Sequence, residues 1–254
     1  FFIAMAVAVT YAPGMIFSHI LPFGLLGTLA AMAITLLEVK KLGVDDFEGY
    51  PLHLNTLMLP GLLALAVVAG RLLWPNLSII GIISLCAPLI SFLLMPKQDL
   101  GPTLRRQVTQ RFPAMGSQIV LFLGAGLLAA SVNALTQVWS PQPLLAMFHH
   151  FGALEATLTV TLILFIAYFG VHPIITISSI APLLWHLHPD PNLLGMTFLL
   201  GWGLSTGATP LSGANLALLA CYKVRAKDLL IWNLGYAAKM LGVCGALFIL
   251  YQWL

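Results

Sequence analysis

Apolar residues run along this chain in long blocks, at 1–20, 21–38, 53–70, 76–95, 116–138, 153–170, 174–185, 193–222 and 229–254. Short loops carrying Pro, Gly, Asn and charge separate them, as expected at helix ends. The blocks lack strict apolar–polar alternation, so they predict helices and exclude a closed β-barrel. A helix crosses ~30 Å of hydrocarbon with ~20 mainly apolar residues, and this length allows roughly eight or nine such segments. Two blocks do not fit a simple crossing. Block 174–185 is too short, and block 193–222 carries Leu204-Ser205-Thr206-Gly207-Ala208-Thr209-Pro210-Leu211-Ser212-Gly213-Ala214-Asn215 at its centre.

Composition makes lipid the solvent. Hydrophobic residues form 60% of the chain and charged residues 7%, with a mean hydropathy of +0.98. A soluble domain carries about 25% charged residues, so this chain cannot cover its surface in water. Cys86, Cys221 and Cys244 lie in or beside apolar blocks without metal or redox spacing and read as packing residues. A net charge of +3 is no nucleic-acid signature. The chain opens at Phe1 inside an apolar run, so part of the protein is expected upstream.

The placement of charge predicts a topology. Lys40 and Lys41; Lys97, Arg105, Arg106 and Arg111; and Lys223, Arg225 and Lys227 fall in three loops, which the positive-inside rule puts in the cytoplasm. Blocks 53–70 and 76–95 then leave and return, turning outside around Trp74-Pro75-Asn76, and block 116–138 crosses outward. Two full crossings over 153–185 would break parity. A re-entrant hairpin restores it: in from the outside, tip at Gly170-Val171-His172-Pro173, and back out. Block 193–222 crosses inward, and 229–254 crosses outward to a periplasmic C-terminus.

The density of Gly, Thr and Pro in 204–215 predicts two half-helices joined by unwound backbone at mid-membrane, with Pro210 opening the second. Unwound backbone survives at that depth where it lines a cavity or is buried in protein. Helices starting at Pro173 and Pro210 would each present unpaired N–H groups and a positive dipole end to an anion. His172, Pro173, Thr176, Ser178 and Ser179 gather at the first start; Ser205, Thr206, Thr209, Ser212 and Asn215 gather at the second. Freed carbonyls with these hydroxyls suit a small hard cation. Such small residues also serve close helix packing, which is the structural alternative. Two clusters in two topologically odd segments favour a site, because discontinuous helices at the midplane are the plan of secondary transporters.

The order of hairpin, broken helix with Ala208-Thr209-Pro210 and Asn215, basic loop and final helix resembles the divalent anion/sodium symporter family of the ion transporter superfamily. The resemblance implies an inverted-repeat fold, a homodimer and elevator transport of a di- or tricarboxylate-like anion. Block 1–20, with Thr10-Tyr11-Ala12-Pro13-Gly14, resembles the broken helix of a first repeat, which 21–38 closes. Residues 39–52 become a cytoplasmic loop, and 53–254 the second repeat with hairpin 153–185 and broken helix 193–222. The family's Ser-Asn-Thr hairpin tip is replaced by Val171-His172-Pro173, so arsenite, citrate and proton-antiporting relatives stay open.

Lys239 stands near the middle of 229–254, where a charge costs ~2.5–3.5 kcal/mol and needs a cavity, a partner or a lost proton. It reads either as a coupling group or as a structural pair. His172 reads as an anion donor or a helix cap. His149, His150, His186, His188 and Asp190 are near enough in sequence for a metal site, though solvated loop histidines are the commoner case. Glu155 reads as a helix N-terminal acid. The Arg105-Arg106 run and Lys40-Lys41 read as topology signals in contact with anionic lipid. Asn133 and Gln118 read as interhelical hydrogen-bonding groups.

These features predict an all-α polytopic protein of the bacterial inner membrane, with no enzyme activity and no cofactor. The function expected is ion-coupled transport of a small anion, with Na⁺ or H⁺ as driving ion and H⁺ favoured by His172 and Lys239. The rivals are a cation/proton antiporter of the same architecture and a lipid-handling protein or flippase. Expected partners are membrane lipid, a second copy and the upstream part of the same protein.

Overall fold

The computed structural model describes residues 2–41, 54–74, 77, 79–139, 148, 150–209, 212, 215, 219, 222 and 224–254, without the side chains of 2, 3, 54–56, 71, 72, 79, 80, 114, 117 and 118. Every regular element among them is helical. Residues 1–45 with 121–254 form one compact unit, and residues 46–120 form another.

In the larger unit, α1 (Phe2–Tyr11) and α2 (Phe17–Lys41) are separated by a short break. Pro13 cannot donate, and Gly14 takes φ 91°, a left-handed conformation natural to glycine. The carbonyl of Tyr11, released at the end of α1, accepts a hydrogen bond from Trp185 Nε1 at 3.1 Å. The break therefore lies before residue 17, and 17–41 is one helix rather than the end of one segment followed by another. Pro22 stands inside α2. It is near the N-terminus, where it removes one backbone bond without ending the helix.

Helices α8 (Ala153–Tyr168) and α9 (Pro173–Leu184) form the hairpin, followed by a 3₁₀ turn at Trp185–Leu187. Gly170, at φ 85°, turns the chain between them. The 12 residues of α9 match the short second arm read from the sequence. Next, α10 (Pro191–Ala208) is capped by Asp190, whose Oδ1 accepts from the N–H groups of Asn192 and Leu193 at 2.9 Å. Residues 192–198 are all buried, so α10 has no free face along its first half. A helix apolar all round belongs at the centre of a bundle. There α10 packs against α1, α2, α8, α9 and α11 (Ala226–Trp253).

Polar contacts tie one end of this bundle. The Tyr251 hydroxyl donates to Asp190 at 2.8 Å, Gln252 accepts from the Ala153 N–H at 3.0 Å, and Asn192 accepts from the Ile16 N–H at 2.6 Å. Glu155 accepts from the Gly152 N–H at 2.9 Å, the cap expected of an acid in a first turn. Helices α2 and α11 run antiparallel, with Phe23 edge-on to Tyr251 at 5.2 Å near this end. Lys41 shares a groove with Trp232, Asn233 and Tyr236 at the other. The basic end of α2 and the basic start of α11 therefore lie on one side, as the charge pattern required.

The second unit pairs α3 (Leu54–Leu73) with α4 (Ile79–Leu94). They meet where Gly70 leaves room for Ile82. The stretch 97–111, read as a loop, is helical: α5 (Lys97–Arg106), a π-turn (Gln107–Arg111) and the short α6 (Phe112–Ala114) precede α7 (Gly116–Val138).

Three helical stretches, Phe17–Lys41, Ile119–Val138 and Ala226–Trp253, are long and apolar enough to cross a membrane. Shorter apolar helices occur at Leu57–Gly70, Gly81–Leu94, Ala153–Tyr168 and Pro173–Leu187. The chain is an all-α membrane protein. The loop 42–53, the turn at Pro75 and Asn76, the Gln118 side chain, His149 and most of the second half-helix, Pro210 included, lie outside the described residues.

Candidate functional site

The decisive local event is the end of α10. Thr209 leaves helical geometry at φ −72°, ψ 133°, while staying buried. Its N–H still bonds the Ser205 carbonyl at 2.9 Å. Beyond it, Asn215 Nδ2 donates to the carbonyls of both Gly207 and Thr209, at 2.8 and 2.9 Å. Asn233 Nδ2, from α11, donates to the same Gly207 carbonyl at 2.9 Å. Ser212 Oγ accepts from the Asn215 N–H at 3.2 Å, and the Ser212 N–H approaches the Thr209 carbonyl at 3.4 Å. Thr209, Ser212 and Asn215 are thus assembled into one buried break, stapled by two amide side chains.

A carbonyl oxygen has two lone pairs. Those of Gly207 are occupied by Asn215 and Asn233, and those of Thr209 by Asn215 and Ser212. In this arrangement the two carbonyls hold amides, and a coupling cation would need other oxygens.

Ser205 and Thr206 are turned back on α10. Both hydroxyls donate to the Trp202 carbonyl, at 3.0 and 2.8 Å. The Trp202 ring in turn meets the hairpin tip: His172 stands edge-on to it with ring centres 5.2 Å apart. Trp202 of α10 thus touches the hairpin tip at His172, while Thr209, Ser212 and Asn215 gather at the break. At the tip, His172 caps α9, its Nδ1 accepting from the Ile174 N–H at 3.3 Å. Nδ1 is then unprotonated, and Nε2 carries the hydrogen of the neutral ring. Pro173 and Ser178 are buried, and the Ser178 hydroxyl donates to the Ile175 carbonyl at 3.0 Å. Thr176 differs. Its hydroxyl is buried without a hydrogen-bond partner among the described residues, as is that of Tyr168 at the other arm of the hairpin.

A cavity of about 420 Å³ opens beside the break. Gly24 and Thr28 of α2, Gly203 and Gly207 of α10, and Asn233 and Tyr236 of α11 line it, with Asn215. Ligand pockets of this kind range over ~300–1,000 Å³, apolar with a few convergent polar groups. Asn233 and Tyr236 also line a separate groove with Glu38 and Lys41, which adjoins the cavity on the basic side. No hairpin residue lines it. The break stands at the end of the 18-residue α10, ~27 Å from the Asp190 cap at 1.5 Å per residue.

Lys239 forms an ion pair with Glu38 of α2. Both side chains are partly exposed on the chain surface, 51% and 36%, so the pair borders the groove rather than the core. Asn133, on α7, gives its carbonyl to the Thr136 hydroxyl at 2.8 Å. Among the described residues no group of three or more His, Cys, Asp or Glu side chains is placed to hold a metal.

The site residues that sequence reasoning missed are Thr28, Asn233, Tyr236, Glu38 and Trp202. Glu38 had a readable signal, since a carboxylate is one partner that a lysine within a span can take and Glu38 closes an apolar block. Asn233, an amide in an apolar span, carried the same kind of signal. Thr28 and Tyr236 carried none, because their role depends on which helix faces lie together.

No protein-family model, curated protein or solved structure matches this chain. The resemblance to the symporter family rests on the residues quoted above.

Proposed function

We propose that this chain acts as a secondary active transporter for a small anion, and that the solute passes through the cavity beside Thr209. The observation that carries this reading is the break itself. A central helix stops inside the bundle, its carbonyls are held by Asn215 and Asn233, and a solute-sized cavity borders it. Backbone of that kind persists at membrane depth where it serves a cavity. The described lining carries no charged side chain, so selectivity for an anion would come from the second Asn233 amide hydrogen and the Tyr236 hydroxyl. The inverted repeat, dimer and elevator motion implied by the family resemblance belong to this proposal.

The coupling ion is H⁺ or Na⁺. Saturation of the Gly207 and Thr209 carbonyls speaks for H⁺, and the Glu38–Lys239 ion pair stands beside the groove. The same pair supports a second reading, a cation/proton antiporter that binds no anion.

Thermal unfolding of the purified protein tests both, against mono-, di- and tricarboxylates, arsenite and phosphate, with Na⁺ or K⁺ and at two pH values. Ligand at a hundred times Kd stabilises the folded state by ~2.7 kcal/mol. Stabilisation by one anion class, lost in Asn233→Leu, supports the solute site. A response to Na⁺ or pH alone transfers the assignment to the antiporter, and no response to any of them removes both.

A further inference from the structure

Residues 97–115 carry a pattern independent of the cavity. Leu100, Leu104, Val108 and Phe112 recur every four residues along α5, the π-turn and α6. In an α-helix a four-residue step overshoots one turn by ~40°, so such a row winds around the axis. The π-turn at Gln107–Arg111 takes up the surplus and brings Val108 and Phe112 back toward the line of Leu100 and Leu104. The result is one apolar stripe along the rod.

Nothing among the described residues covers it. Helix α5 buries no residue, and its main contacts run along its own rod to the π-turn. Val108 and Phe112 are 60% and 62% exposed. Lys97, Arg105, Arg106 and Arg111 accompany the stripe against the single acid Asp99. Arg105 and Arg106 border a groove of about 820 Å³ with Gly101, Pro102, Thr109 and Gln110. Gly101 and Pro102 carry no long side chain to fill it.

Chain continuity fixes where this rod can be. Only Met95 and Pro96 separate it from the apolar α4, and only Met115 separates it from α7, which contains the candidate crossing Ile119–Val138. It is tethered at both ends to lipid-soluble segments.

We propose that residues 97–115 lie along the membrane surface as an amphipathic helix that binds anionic phospholipid. The stripe sinks to the acyl boundary while Arg105, Arg106 and Arg111 hold headgroup phosphates. Arginine suits that role because its planar fork meets phosphate oxygens in pairs. Apolar burial and attraction to anionic lipid reinforce each other in such a helix.

Hydrogen–deuterium exchange tests this on the full chain in nanodiscs of phosphatidylcholine, with or without about 30 mol% phosphatidylglycerol. Amides of 97–115 are expected to exchange at least ~10-fold more slowly in the anionic discs, with the difference lost near ~1 M salt. An R105Q/R106Q/R111Q variant should lose it, and the corresponding triple lysine variant should keep most of it. Equal exchange in the two lipids overturns the proposal, as does a difference that survives high salt or the glutamines. Should the glutamine variant not fold, the lipid, salt and lysine comparisons decide the matter alone.

Discussion

Lys239 and Glu38, 201 residues apart in the chain, form an ion pair between α11 and α2. Each helix would otherwise carry an uncompensated charge in an apolar stretch, so the pair fixes how the two helices register. It also stands at the groove that adjoins the cavity, which Glu38 and Lys41 line with Asn233 and Tyr236. One contact thus joins the packing of the bundle to its candidate solute path.

Breaking one side of the pair should destabilise more than removing both. Glu38→Gln leaves the Lys239 ammonium unpartnered, and Lys239→Gln leaves the carboxylate so; each is expected to cost ~1–3 kcal/mol in chemical unfolding. The double glutamine variant should recover most of that loss. Strictly additive losses would mean that the two groups do not interact in the folded protein. The double variant also tests coupling, since a group that carries protons cannot be replaced without changing the pH dependence of transport.

The staple at the break predicts non-additivity of the opposite sign. Asn215→Ala or Asn233→Ala each leaves the Gly207 carbonyl one side-chain donor, so each should cost ~1–2 kcal/mol. Removing both amides leaves that carbonyl no side-chain donor. The double variant should then exceed the sum of the singles by ~1 kcal/mol or more in a double-mutant cycle. A sum without excess would show that water or backbone takes over the role.

Local breaks were legible in the sequence because they depend on residues adjacent in the chain. Gly170 and His172-Pro173 announce the hairpin tip, and the run from Ser205 to Pro210 announces the end of α10. The break at Pro13-Gly14 was legible too. The continuity of α2 through residues 20 and 21 was not, since apolar residues on both sides and Pro22 suggest a boundary where the backbone has none. The amphipathic rod at 97–111 was hidden by Gly101 and Pro102, which read as loop residues while the every-fourth-residue stripe runs through them. The cavity was illegible for a different reason. Its wall is made of faces of α2, α10 and α11 that meet only in the bundle, and no local pattern says that Thr28 and Tyr236 share a space.

Two glycines of α10 should respond in opposite directions. A Cβ at Gly201 would come within 2.8 Å of Ile163 Cδ1, and Ile163 is fully buried between α8 and α10. Gly201→Ala should therefore lower stability by ~1–3 kcal/mol through overpacking. A Cβ at Gly203 meets nothing within 4 Å, because that glycine faces the cavity. Gly203→Ala should keep or raise stability by up to ~1 kcal/mol from helix propensity, while slowing solute flux in proteoliposomes by narrowing the cavity. Normal flux in Gly203→Ala and in the bulkier Gly203→Leu would place the solute path elsewhere.

His172 separates a cap from a ligand. Its Nδ1 accepts from the Ile174 N–H, and its ring meets Trp202 edge-on. His172→Asn preserves a capping acceptor but loses the ring contact, and should cost ~0.5–1.5 kcal/mol. His172→Ala loses both and should cost ~1 kcal/mol more. Equal melting of the two variants would show that the cap contributes nothing. Flux then distinguishes the roles, because asparagine restores the cap but not a titrating ring. If His172→Asn transports as the wild type does across pH, the histidine only starts α9; if it folds normally and transport loses its pH dependence, the ring at the hairpin tip carries the coupled proton.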